Sequence, residues 1–210
     1  MGEPLSSEQL RDGLARMARA LMGHAGELNA LDAVMGDGDL GVTMRLGCQA
    51  VLDDLAGLAG ADVATICTRT GMAFNRAAAS TMGALIATAG MRAGREAKGA
   101  DAIDLALLAR MVAAAEAGMR ERGKAQRGEK TLLDALIPAA EALERAAAED
   151  AGFKAAALQA LQAARAGRDA TIAMRATIGR ARWAGERTVG QPDAGASALV
   201  IALEALAPPR

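Results

Sequence analysis

Asp32, Asp37 and Asp39 fall close together in the stretch LDAVMGDGDLGVTM, Leu31 to Met44, interleaved with Gly36, Gly38 and Gly41. On one continuous helix, positions five apart point roughly 140° from each other, so Asp32 and Asp37 converge only if the chain leaves the helix near Gly36. Gly36 and Gly38 open backbone angles closed to other residues, which lets the loop fold Asp37 and Asp39 back toward Asp32. Two carboxylates about 4 Å apart repel by on the order of 4 kcal/mol at an effective dielectric of about 20. A hard divalent cation removes that repulsion, and an all-oxygen donor set points to Mg²⁺.

After Gly41 the pattern VTMRLGCQAVLDDL turns helical. The same loop therefore feeds a helix N-terminus, where free N–H groups and the helix dipole favour a phosphate. A simpler reading has Asp37 or Asp39 capping that helix, with the glycines forming the turn before it. EF-hand calcium binding does not fit: the D-x-D-x-D-G order is absent, and the twelfth position from Asp37 is Cys48. The Gly and Lys spacing of a P-loop is missing too.

Two further places carry chemistry. Ser80, Thr81 and Gly83 interrupt a helical pattern with hydroxyls and a glycine, a combination that can meet a phosphate at a helix start. The tail GRARWAGERTVGQPDAGASALVIALEAL sets Arg180, Arg182 and Arg187 ahead of Asp193 and a final apolar run. Asp193 reads first as the N-cap of that run. Arg180 and Arg187 can hold a phosphate or pair with the aspartates of the first loop. The basic loop RGKAQRGEKT, residues 122 to 131, reads most simply as a solvated connection.

The elements that must position these residues are helices. Ala, Leu, Met and Arg dominate, and Val, Ile, Thr and aromatics never gather into alternating runs, which predicts an all-α fold. Eight helices are expected in a single domain spanning 1–210. The first runs from Ser6 or Ser7 to about Val34 and delivers Asp32; the second covers about Val42 to Leu55, and the third starts at Asp62. The fourth follows Ser80 to Gly83 and ends near Lys98, and the fifth runs from Asp101 to Gly123. The sixth starts near Thr131 and accommodates Pro138 by a kink or a late start. The seventh spans about Lys154 to Arg180, and the eighth follows Asp193.

Composition limits the function classes. Of 210 residues, 52% are hydrophobic and 23% charged, which suits one globular domain with a sizeable core. A net charge of −1 without blocks of like charge offers no footprint for nucleic acid or an anionic membrane. Short, interrupted apolar runs behind an N-terminus without a basic-then-apolar pattern indicate a soluble, cytoplasmic protein. Cys48 and Cys67 lack metal-ligand spacing and read as core residues. His24 is the only His, so a Ser-His-Asp or Cys-His mechanism has little material to work with.

Together the three places resemble the nucleotide-binding L subunit of dihydroxyacetone kinase. LDAVMGDGDLGVTM is similar to that family's metal loop, RGKAQRGEKTLLDALIPA to its Gly-Lys-Thr loop and helix, and GRARWAGERTVGQPDAGASA to its C-terminal signature. The resemblance runs in order along essentially the whole chain. It implies an antiparallel barrel of eight helices holding ADP or ATP at one end through Mg²⁺, with two ions expected. By position, Asp32, Asp37 and Asp39 would ligate the metal. Leu40, Gly41, Val42 and Thr43 would approach the phosphates, as would Ser80, Thr81 and Met82. Gly123 and Leu132 would lie against the nucleoside, and Asp193, Ala194 and Gly195 near the nucleotide. Arg180, near the phosphates, is the candidate catalytic residue.

Two departures accompany the likeness: the family often has His at the position of Leu40, and Ser or a similar small residue at that of Met82. Leu40 cannot donate the hydrogen bond a His can. In this family the sugar-binding half, with its covalently engaged His, belongs to another subunit or domain, and these 210 residues do not supply it. The chain would therefore be a phosphotransferase component that acts on dihydroxyacetone or a related short ketose together with a sugar-binding kinase subunit. A phosphotransfer protein is a further expected partner if ADP is held tightly, and a homodimer is left open. The competing reading is a non-catalytic nucleotide-sensing module.

Overall fold

The computed structural model describes residues 3–207. Among them are nine α-helices: α1 Ser7–Gly23, α2 Ala25–Met35, α3 Leu40–Ala56, α4 Val63–Ala77, α5 Thr81–Glu96, α6 Leu105–Gly123, α7 Leu133–Ala148, α8 Phe153–Ala170 and α9 Ala194–Glu204. Two 3₁₀ segments, Thr171–Ala173 and Ala181–Thr188, lie between α8 and α9. No strand occurs among the described residues, only an isolated antiparallel bridge between Leu5 and Ile103.

Eight of the nine helices close a ring. From α3 to α9 each helix packs on the next in sequence, α9 packs on α1, and α1 on α3. The short α2 stands outside the ring order, against α3, α9 and the second 3₁₀ segment. One end of this antiparallel barrel gathers the starts of α3, α5, α7 and α9 with the ends of α2 and α6.

Local chemistry explains the boundaries. Ser6 and Gln9 form a reciprocal capping box at α1, and Asp62, Ser80, Asp104 and Asp193 each cap a helix through their side chains. The fifth helix of the sequence reading thus begins at Asp104 rather than Asp101. The expected first helix is two, broken at His24. Gly23 and Gly26 flank the break and weaken the helix there, and the His24 backbone N–H closes α1 by donating to Ala20. The expected seventh helix, drawn to Arg180, ends ten residues earlier at Ala170. There the Thr171 hydroxyl donates to the Arg168 carbonyl at 2.5 Å, and the β-branched pair Thr171 and Ile172 favours departure from the helix.

Pro138 sits inside α7 and leaves the Asp134 carbonyl without its usual donor four residues on. Gly167 of α8 lies directly over that carbonyl, and any β-carbon there would collide with it. A similar close approach joins α4 to α5, where β-carbons at Gly90 or Gly94 would strike the carbonyls of Cys67 and Ala64. The core on the α1 to α4 side is built on the fully buried Leu28 and Ile66 and on Phe74, whose ring covers Gly47. Each such side chain contributes roughly 1.5–3 kcal/mol by its burial. Cys48 and Cys67 are free thiols packed within the barrel wall, and burial pushes their pKa values up to about 12 and about 11. They are therefore inert at neutral pH, in keeping with core roles. Among the described residues, no helix is long and apolar enough to cross a membrane.

Candidate metal and nucleotide site

The turn between α2 and α3 gathers the three aspartates. One carboxylate oxygen from each of Asp32, Asp37 and Asp39 lies within 4.8 Å of the other two. Asp32 sits on the last turns of α2, and Gly38, with φ of 74°, makes the left-handed step that returns the chain. Gly36 works differently from the sequence reading. Its φ is −135°, open to other residues, but a β-carbon there would lie 2.5 Å from an Asp32 carboxylate oxygen. It is the missing side chain, not an exotic torsion, that gives Asp32 its room.

Asp32 has a second task. Its Oδ2 accepts from the amides of Asp39 at 3.0 Å and Leu40 at 3.3 Å, while Asn29 Oδ1 accepts from Gly41 at 2.6 Å and Val42 at 3.2 Å. The side chains of α2 thus cap α3. Asp39 occupies the N-cap position without a side-chain cap bond, so its carboxylate stays available to a cation. The amides of Leu40, Gly41 and Val42, which the sequence reading turned toward phosphate, are already engaged. Gly41 and Val42 are absent from the cavity wall, and Gly41 instead packs against the Ala25 carbonyl so closely that a β-carbon would collide. The Leu40 side chain is buried in the core.

Beside the aspartates opens a cavity of about 320 Å³. Its polar end holds Asp32, Asp37, Asp39 and Thr43, with Ser80 and Thr81 on the facing wall. Ser80 caps α5 by accepting from the Gly83 amide at 3.0 Å. The amides of Thr81 and Met82, one and two positions into the helix, find no hydrogen-bond partner among the described residues. They point the positive end of α5 at the space between the helices. Gly123 and Leu132 line the other end with Leu85, Met119 and Ile178, an aliphatic surface that suits a flat apolar ring.

The C-terminal loop completes the wall. Arg180, exposed on the second 3₁₀ segment's approach, forms an ion pair with Asp37, one of the two pairings the sequence allowed. Asp193, Ala194 and Gly195 line the cavity, and Asp193 is at the same time the N-cap of α9, its Oδ1 accepting from Ala196 at 2.7 Å. The capping role and the cavity position coincide. Burial raises the Asp193 carboxyl to about 6; nearby Asp134 pushes the same way, against the Ala196 hydrogen bond and the Lys130 charge. Met82 reaches toward Gly195, where a β-carbon would lie 3.4 Å from its methyl carbon.

Sequence reasoning missed Lys130 and the aliphatic residues Leu85, Met119 and Ile178. Lys130 lies in the loop taken for a solvated connection, yet it is only 2% exposed and lines the cavity. Desolvation pulls its pKa down, partly countered by the Asp193 charge.

Fold and site define an all-α barrel with a ligand-sized cavity at one end, acidic at one side and aliphatic at the other. The chain belongs to the DAK2 domain family, which matches residues 34–208. It is 30% identical over 203 residues to the Escherichia coli (strain K12) PEP-dependent dihydroxyacetone kinase, ADP-binding subunit DhaL, covering 97% of each chain. It is 36% identical over 197 residues to a D-erythrulose kinase of Mycolicibacterium smegmatis, spanning 91% of this chain but 33% of that one. Among solved structures, the dihydroxyacetone kinase of C. freundii superimposes with a TM-score of 0.77 at 25% identity, over 99% of this chain and 35% of that one. The same enzyme in complex with AMP-PNP and Mg²⁺ superimposes with a TM-score of 0.73.

Proposed function

We propose that this chain is the nucleotide-binding component of a kinase for dihydroxyacetone or a related short ketose. It holds Mg-ADP or Mg-ATP and donates the phosphoryl group to a sugar carried by a separate subunit or domain. The observation that carries this reading is the meeting of three carboxylates within 4.8 Å at one side of a cavity whose other side is aliphatic. The donor set is chemically right for Mg²⁺, because three hard carboxylate oxygens, one from each aspartate, come together there. Bound there, Mg²⁺ would neutralise charge on the phosphate oxygens.

The chain's own groups have distinct parts in this reading. Asp32, Asp37 and Asp39 hold the cation. The free amides of Thr81 and Met82 and the hydroxyls of Ser80, Thr81 and Thr43 receive phosphate oxygens, while Gly123 and Leu132 border the nucleoside. Arg180, now paired with Asp37, transfers part of its hydrogen bonding to the phosphates. Its planar fork then follows the charge that shifts between oxygens during transfer. Asp193 to Gly195 close the wall beside the nucleotide. No protein nucleophile is required, since phosphoryl transfer depends on positioning and charge stabilisation.

The relatives' names support the nucleotide and the ketose class, and the chain's span of about a third of the erythrulose kinase supports a partner that carries the sugar. Alone, this chain should not phosphorylate dihydroxyacetone. Incubation with Mg-ATP, dihydroxyacetone and no partner tests that expectation, and robust product formation would refute it. Mass spectrometry of the purified protein for retained nucleotide separates tightly held ADP, rephosphorylated by a phosphotransfer protein, from exchangeable ATP.

A further inference from the structure

The segment from Thr171 to Asp193 leaves the barrel where α8 ends and returns where α9 begins. Between those points it carries Arg180 to the aspartates. Both feet of this excursion meet on one buried side chain. Lys130 Nζ donates to the Thr171 carbonyl and to the Gln191 carbonyl, each at 2.6 Å. Around it the feet are laced together: the Asp193 amide donates to Thr171 Oγ1 at 2.8 Å, and the Gly190 amide to the Ile172 carbonyl at 2.8 Å. The Lys130 backbone is itself held in a left-handed conformation, φ 60°, within a turn that Asp134 pins by accepting from the Gly128 and Thr131 amides at 2.5 and 2.7 Å.

We propose that Lys130 is a positioning residue for the nucleotide site, fastening the two feet of the 171–193 excursion so that Arg180 and the Asp193 to Gly195 wall stand against the cavity. This rests on the nucleotide reading above. A solvated connecting lysine would not be 2% exposed with its ammonium spent on two carbonyls from different segments. The residue type follows from the task. An ammonium is compact and carries three donors, enough to serve two converging carbonyls at once. Methionine would fill the space but leave both carbonyls without a donor, and it would remove the positive charge beside the buried Asp193 carboxylate. Arginine brings a wide planar fork into a pocket with no spare exposure.

The test uses the full chain and its Lys130→Met variant, with hydrogen exchange read at the amides of Gly190 and Asp193 and at α4 as an internal control. Expected are at least tenfold faster exchange at 190–193, unchanged exchange in α4, and about tenfold weaker Mg-ADP binding, a loss of one decade in Kd. Saturating Mg-ADP should restore protection at 190–193, because a ligand that requires the fastened loop must in turn favour it. Thr171→Val, which removes the hydroxyl link and keeps the carbonyl, gives the same pattern more weakly and serves if Lys130→Met does not fold. Unchanged exchange and affinity would overturn the proposal, as would loosening spread evenly through α4. Failure of the unaltered chain to bind Mg-ADP would instead overturn the nucleotide reading, and the exchange comparison without nucleotide would still decide the clamp.

Discussion

Two helix starts face the same cavity and use their amides in opposite ways. At α3 the amides of residues 39 to 42 are taken by Asp32 and Asn29 from α2, so that end offers no free amide to an incoming anion. At α5 the Ser80 cap takes only the Gly83 amide and leaves Thr81 and Met82 open. The difference divides the labour. In the proposed reading the α3 side, which presents negative charge, would take the cation, and the α5 side, which presents bare amide donors, would take the phosphate. A helix start is thus an anion site only where the neighbouring side chains leave its amides alone.

Substitutions within the aspartate set should have the largest effect and should separate its members. Asp39→Ala removes a proposed metal ligand alone and Asp37→Ala removes one together with the Arg180 ion pair, so each should weaken Mg-ADP binding by about a hundredfold or more with helicity unchanged. Asp32→Ala should do the same and also cost about 1–2 kcal/mol of stability in the nucleotide-free chain, because it uncaps α3. Calorimetry with thermal unfolding on the three variants measures both losses. Equal stability in Asp32→Ala and Asp39→Ala would break the assignment of the cap.

The α5 side is tested next. Thr81 is the first residue of α5 and follows the extended Ser80, a place where proline fits without breaking the helix. Thr81→Pro therefore deletes one free amide and one hydroxyl and should weaken Mg-ADP binding about tenfold with a near-normal melting temperature. Gly41→Ala on the α3 side should do the reverse, lowering stability through its clash with the Ala25 carbonyl.

Much of this comparison was legible in the sequence, because the aspartates and their glycines are neighbours along the chain and announce a turn of acidic groups. What was hidden depends on contacts between distant segments. Asn29 looks like an ordinary polar residue in mid-helix, and nothing nearby in sequence says that its amide will cap α3. Lys130 carries the charge of a surface residue, and only the return of residues 171 and 191 to one point buries it. The helical tail drawn to Arg180 failed because the Thr171 side chain turns back on its own helix end, a local competition that the apolar periodicity does not register. The eight-helix ring survived the splitting of the first helix, since α2 only leans on it.

Smaller effects concern the C-terminal loop. Arg180→Lys keeps the charge and loses the planar fork, so with the partner present it should lower single-turnover transfer by about tenfold while changing nucleotide affinity far less. An equal loss in both would return Arg180 to a purely binding role. Asp193 should yield the smallest signal. Its folded pKa of about 6 lies above the ordinary carboxylate value, so the nucleotide-free fold holds this proton more tightly than the unfolded chain does. The Asp193 contribution is therefore most favourable below about pH 4 and is lost as pH rises through about 6. Asp193→Asn can still cap α9 and should remove that part of the slope, shifting the melting temperature at pH 7 relative to pH 4.5 by a few degrees compared with the unaltered chain.

The central claim is that the aspartate cluster binds a cation through which the nucleotide phosphates are held. Calorimetric titration of ADP into the chain and into Asp39→Ala, with and without Mg²⁺, tests it most directly. Strong binding is expected only for the unaltered chain and only with Mg²⁺. Equal binding by both proteins, or binding indifferent to Mg²⁺, would contradict it.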